Sequence, residues 1–102
     1  MIPIGSDHLV TLTGLYDAVS AAYVNDATVS GVLLDATKTT TITTFSLSYV
    51  ASSSGNYRGT LLNSVTDDLT PGTQYVVRLT ATSGSIIKVI EKEEVADYEQ
   101  AD

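Results

Sequence analysis

Thirteen residues, Leu69 to Ala81 (LTPGTQYVVRLTA), constrain the fold more than any other stretch. Pro71-Gly72 is a turn, since proline presets φ and glycine tolerates the positive φ that follows. From there Tyr75, Val77, Leu79 and Ala81 fall at every second position, with Val76, Arg78, Thr80 and Thr82 between them. A period of two over that length is a half-buried strand. One strand with one buried face cannot stand alone, so the rest of the chain must supply strands to pair with it and cover it.

The remaining sequence reads that way. Ser6 to Gly14 (SDHLVTLTG) is rich in β-formers and stops at a glycine, which predicts a first strand. In Leu15 to Asp26, the residues Leu15, Val19 and Tyr23 have helical spacing. The β-rich surroundings favour instead a connection with a short strand near Ala21 to Tyr23. Ala27 to Leu34 is a strand with Val29, Gly31 and Leu33 on one face. The missing side chain at Gly31 predicts a bulge or a large facing residue. Asp35 to Thr44 is a threonine-rich link, loop first and strand after. It runs into the alternating Phe45, Leu47 and Tyr49. Tyr57 to Leu62 is the next strand, with Tyr57, Gly59 and Leu61 on one face. Asn63 to Asp68 crosses over to the Leu69 turn. Ser83-Gly84-Ser85 is a further turn, and Ile86 to Ala96 a long last strand. That strand is apolar on both faces at first and charged later, as if it began in the core and ran out along an edge.

Parity limits the hairpin around Ser52 to Asn56. Opposed residues of an antiparallel pair share a face. Placing Phe45, Leu47 and Tyr49 on the side of Tyr57 and Leu61 therefore requires an odd loop. Three residues (Ser54 to Asn56) or five (Ser52 to Asn56) are expected, with a glycine at positive φ.

About seven short strands, spaced some ten residues apart, indicate an all-β antiparallel two-sheet sandwich. Thr, Ser and Val make up 37 of the 102 residues, which suits pleated strands better than helices. The expected domain spans residues 1–96, followed by an acidic tail, 97–102. At this length one domain buries a sufficient core without disulfides or metals. There is no cysteine, so no oxidising compartment is required. No apolar run exceeds five residues, so no membrane span is expected. No signal peptide is visible and Met1 reads as a natural start, so a cytoplasmic location is expected.

The formal charge of −7 is unevenly spread. Residues 91–102 carry a net −5 and residues 1–90 only −2. The tail reads as a solubilising segment or a strip that meets a basic partner. Lys38, Arg58, Arg78 and Lys88 are scattered, which argues against a nucleic-acid partner.

Leu69-x-Pro71-Gly72-Thr73-x-Tyr75-x-Val77-x-Leu79-x-Ala81 resembles the tyrosine corner and following strand of fibronectin type III and related immunoglobulin-like domains. Gly55-Asn56-Tyr57-Arg58-Gly59-x-Leu61, followed by Pro71-Gly72 and Tyr75, also resembles the prealbumin-like sandwiches of carboxypeptidase regulatory domains. The match runs from Phe45 to Ala81. The chain has no tryptophan and no inter-sheet disulfide, in which it departs from many members. In size and style it is also similar to small immunoglobulin-like accessory proteins of tailed phages and prophages, which implies a virion as the other expected location. The corner resemblance implies a buried Tyr75 ring whose hydroxyl bonds to backbone near Leu69 or Thr70.

Residues that carry chemistry are few. His8 is the single histidine and reads as an exposed strand residue, with no acid spaced to it as in a triad. Zinc would need several His or Cys ligands. Asp17, Asn25, Asp26, Asp35, Asp67 and Asp68 offer calcium-type oxygens from loops, but without the spacing of a dedicated loop. Asp67 and Asp68 are adjacent and would point apart on extended chain. Of the tyrosines, Tyr49, Tyr57 and Tyr75 face the core, while Tyr16, Tyr23 and Tyr98 are candidates for exposure. No catalytic, cofactor-binding or metal residue is therefore named, no cofactor is expected, and a small-molecule ligand is not favoured. The expected function is a non-catalytic structural or assembly module, as in a phage particle, that meets a protein partner or itself. A cell-surface module for carbohydrate or protein is the alternative. Val76 and one of Ile86 or Ile87 are expected to present apolar groups to water, where another chain would cover them.

Overall fold

The computed structural model describes residues 1–99. Nine strands and one short helix follow in the order β1 (Ile2–Pro3), β2 (His8–Leu12), β3 (Tyr16–Asp17), β4 (Ala22–Tyr23), β5 (Thr28–Asp35), β6 (Thr41–Tyr49), β7 (Tyr57–Leu61), α1 (Asn63–Thr66), β8 (Gln74–Ser83) and β9 (Ile86–Asp97). Seven strands form one sheet in the order β1-β9-β8-β5-β6-β7-β2, and β3 and β4 form a separate hairpin. The chain is all-β, as expected, but not a simple two-sheet antiparallel sandwich. The main sheet is mixed, because β1 runs parallel to β9, and it is nearly closed on itself. β6 is the reason it is continuous. Its first part pairs with β5, up to Leu47 against Val29, and its last two residues, Ser48 and Tyr49, pair with β7. One strand thus belongs to both halves, where a sandwich would have kept them apart.

The local expectations explain the registers. Gly31 stands opposite Phe45, and a Cβ on Gly31 would lie 2.4 Å from the Phe45 ring, so the ring fills the gap the glycine leaves. Tyr49 pairs with Tyr57, which puts the two apolar sets on one side. The loop between them has the expected odd parity but spans seven residues, Val50 to Asn56, rather than three or five. It is longer because it closes on itself, Val50 N–H donating to Asn56 O at 2.8 Å and the Tyr49 hydroxyl to Ser53 O. Gly55 supplies the positive φ, 70°. In the segment after β2 the helix alternative does not occur. Tyr16 opposes Tyr23 in the β3–β4 hairpin instead.

The core gathers Ile2, Ile4, Val10, Leu12, Leu15, Val29, Leu33, Leu47, Tyr57, Leu61, Tyr75, Val77, Leu79 and Ala96 among others. Tyr75 is buried, and its hydroxyl accepts from Thr70 N–H at 3.0 Å, which is the corner geometry anticipated from the sequence. Tyr75→Phe is expected to lower stability by about 1 kcal/mol, the usual net value of one intramolecular hydrogen bond. Tyr98→Phe, at an exposed ring, should change almost nothing. Urea denaturation of both variants checks this, and equal effects would remove the corner from the account.

Two expectations need correction. Val76 does not present itself to water; it is 1% exposed, and Leu34, its register partner on β5, is 4% exposed. Both lie on the face away from the core. There Lys38, from the turn after β5, reaches over β8 to Glu91 on β9. Val76 itself lies between its register partners Leu34 on β5 and Glu93 on β9, and Gln74 donates to Glu93 at 2.7 Å. The last strand departs from expectation at its start. Ile87 is 68% and Val89 56% exposed, whereas the charged stretch Glu91 to Glu93 is exposed as expected, and Ala96 beyond it is buried. Ala96 is held by β1 through the Ile2 pairing and by Gly72 and Thr73, whose backbones bond to it at 2.8 and 2.9 Å. Strand β9 continues to Asp97, one residue past the expected domain end. Residues 100–102 of the acidic tail lie outside the described residues.

Candidate functional site at the open seam

The sheet has two ends, β2 and the short β1 beside β9, and they do not pair with one another. Between them lies a cleft of about 370 Å³. Its floor is the inner face of β8 and β9, with Val77, Leu79, Ile90, Lys92 and Glu94, and its roof is the whole of β2. The seam exists because β1 contributes only two residues. It covers β9 at Ala96 and Asp97, and leaves the stretch before Ala96 without a strand neighbour on that side.

Charge collects at one end of the cleft. Glu94 is 12% exposed and receives the Met1 ammonium and, at 3.0 Å, the Lys92 ammonium. Burial works against the Glu94 charge, but the hydrogen bonds from the N-terminus and Lys92 outweigh it, so its carboxyl is held below the ordinary range. His8 is partly buried on β2, not the fully exposed residue expected. Burial holds its imidazole below the ordinary value; Glu94 pulls the other way, and the N-terminus and Lys92 add to the lowering. His8 and the Glu94 ion pairs thus stand together at one end of the cleft.

Glu94 fixes the sign of a pH effect. Its pKa is lower folded than unfolded, so its contribution is complete above the unfolded carboxylate range and is lost as pH falls through the folded value. The stability gap between the native protein and Glu94→Gln is expected to be open at neutral pH and to close in acid. His8 loses stability in the same direction, so the gap between the two proteins is what should be followed in urea melts. A gap that stayed constant with pH would show that the carboxylate's charge does not matter.

The remaining singled-out residues lie elsewhere and apart. Asp17 caps its own turn through Val19 N–H and the Ser20 hydroxyl, and Asp35 caps the next through Thr37, Thr39 and Thr40. Asn25 accepts from Gly55 N–H and Asp26 from the Ser83 hydroxyl. Asp67 and Asp68 are exposed just after α1. Among the described residues no three His, Asp or Glu side chains gather as a metal site would require. Tyr16 and Tyr23 pack edge to face at 5.4 Å on the β3–β4 hairpin, both about half exposed.

The outer face of β9 is the other notable surface. Ile87, Val89 and Val95 are all exposed there, with Glu91 and Glu93 between them. Glu91 holds Arg78 at 2.9 Å and Lys38 at 3.2 Å, and these two partners, Arg78 first, keep its carboxyl below the ordinary range. Sequence reasoning found the charged edge but not the seam. The seam depends on how far β1 covers β9, and two residues without periodicity give no signal of that. Among the described residues no helix is long and apolar enough to cross a membrane. No family model matches the chain, and no curated protein or solved structure matches it either.

Proposed function

We propose that the chain is a non-catalytic structural or assembly module that joins copies of itself or a larger protein through the uncovered edge of β9. A building block of an immunoglobulin-like kind in a phage particle is the setting its size and style suggest. The observation that carries the reading is one strand edge without a strand neighbour before Ala96 that exposes apolar groups among its charges. Ile87, Val89 and Val95 are exposed along it, and a sheet edge of that length is a template for another strand. The test is solution mass by light scattering over a wide range of concentrations, at low and high salt. Self-association is the expected result. A strict monomer throughout, with no crystal contact above roughly 1,000 Å², would leave only a different protein as partner. Hydrolysis of a generic ester, glycoside or phosphate would overturn the non-catalytic part.

A second reading has one observation in its favour. The exposed Tyr16–Tyr23 pair is the kind of aromatic surface on which a sugar ring stacks. Glycan-array binding that is lost in Tyr23→Ala would favour a carbohydrate-binding module over assembly.

A further inference from the structure

We propose that the cleft between β2 and the inner face of β8 and β9 binds a small amphipathic acid, an extended apolar body ending in one carboxylate. The site lies inside the sheet and is independent of the assembly contact at the edge of β9. The cleft's volume, about 370 Å³, falls within the range of small-molecule sites, about 300–1,000 Å³. At about 30 Å³ for each non-hydrogen atom, as for water in the liquid, it holds on the order of a dozen of them. It follows β2 from His8 to Thr13, a run of about 17 Å at the rise of a strand, so the shape it fits is extended. Val10, Leu12, Val77, Leu79 and Ile90 supply its apolar walls. These residues come from strands remote in sequence and form no motif.

The polar groups stand together at one end, and their charges do not cancel. Glu94 uses both carboxylate oxygens, Oε2 for the Met1 ammonium and Oε1 for the Lys92 ammonium. Two cations therefore share one anion, and one positive charge is left over. The neighbouring acids are engaged elsewhere. Glu91 and Glu93 alternate onto the opposite face of β9, where Glu91 holds Lys38 and Arg78 and Glu93 accepts from Gln74. Asp7 accepts from Asn63 N–H, and Asp97 from Tyr98 N–H. A monoanion neutralises that end of the cleft, whereas a cation would meet the same two ammonium groups. Lys92 is 76% exposed, so its ammonium is free to swing from Glu94 to a ligand at the mouth. The His8 imidazole on the facing strand adds a hydrogen-bond donor. Apolar walls with a few polar groups at one end fix the direction in which an amphipathic molecule enters.

The test is nuclear magnetic resonance of the full chain titrated with sodium octanoate, and with 1-octanol as the uncharged counterpart. Octanoate is expected to move the methyl signals of Val10, Leu12, Leu79 and Ile90, with a dissociation constant below about 1 mM. The imidazole signals of His8, the single histidine, should move with them. Lys92→Gln removes the surplus cation at an exposed position, so the fold is kept. It should weaken octanoate about threefold to fivefold, the usual worth of an exposed ion pair, and leave octanol unchanged. Lys38→Gln, whose ammonium lies on the other face with Glu91, controls for net charge and should weaken neither. If octanoate moves none of these signals up to roughly 10 mM, the site is wrong. If octanoate binds Lys92→Gln as tightly as it binds the native chain, the cleft takes apolar bodies without reading their charge, and the carboxylate assignment falls. Light scattering reads the β9 contact separately, so neither failure is confused with a failure of assembly.

Discussion

Gly55→Ala is expected to destabilise the fold by on the order of 3 kcal/mol, a large share of the 5–15 kcal/mol that holds a domain of this kind. Two costs add. Gly55 has φ 70°, where an L-residue loses about 1–2 kcal/mol. Its neighbour is also backbone. A Cβ there would stand 2.5 Å from Leu15 O and 2.7 Å from Leu15 N, and the main chain cannot swing aside as a side-chain tip can. Overpacking of that sort costs about 1–3 kcal/mol. The contact is tight because the two chains are bonded together, Leu15 N–H donating to Gly55 O at 2.8 Å and Gly55 N–H to Asn25 Oδ1 at 2.8 Å. Gly72→Ala is the control. Gly72 has φ 76° but no atom within 4 Å of the added carbon, so only the conformational cost applies. Urea denaturation of both variants separates the two contributions. Equal losses would mean that the Leu15 segment yields freely and does not anchor the loop.

That loop marks where sequence reasoning reaches and where it stops. Parity of apolar positions is a local property, and it correctly put Tyr49 and Tyr57 on one face. The Gly31 gap was legible for the same reason, since a strand advertises a missing side chain, but that Phe45 rather than a bulge fills it was not. The Tyr75 corner was legible because proline, glycine and tyrosine act within seven residues of one another. Loop length was not legible, because Gly55 answers to Leu15 and Asn25, which are remote in sequence. Closure of the sheet was hidden too. It depends on β6 changing partners between Leu47 and Ser48 and on the two residues of β1 meeting the far end of the chain. The burial of Val76 comes from the strands on either side of it, at Leu34 and Glu93, which alternation within β8 does not reveal. At the candidate site, the charged character of β9 could be read directly. Which end of it is pinned could not, because the clamp at Ala96 is formed by Ile2, Gly72 and Thr73 rather than by β9 itself.

Tyr57→Phe should cost about 2–3 kcal/mol, clearly more than Tyr75→Phe, although each removes a single oxygen. Tyr57 is fully buried and the rings of Tyr57 and Tyr49 pack edge to face at 5.6 Å, so the phenylalanine ring would fit without rearrangement. The difference lies in what the hydroxyl leaves behind. It donates to Val24 O at 2.7 Å and accepts from Ala27 N–H at 3.1 Å, satisfying both kinds of backbone group in the crossing from β4 to β5. Without it, a carbonyl and an amide are stranded at a site with little water, and each stranded group costs about 1–3 kcal/mol unless it finds another partner. Tyr75 strands only one amide, at exposed Thr70, which water can reach. The loss should also be local in a way a general weakening would not be. Val24 is bonded to Leu15, and Leu15 to Gly55, so the same hydroxyl steadies the base of the β3–β4 hairpin and the loop before β7. Hydrogen exchange read residue by residue should quicken at Ala27, Val24 and Leu15 in Tyr57→Phe, beyond what the global stability loss predicts, while amides of β8 and β9 follow the global loss alone. Uniform quickening, or a cost no greater than that of Tyr75→Phe, would mean the crossing is held by packing and not by the tyrosine oxygen.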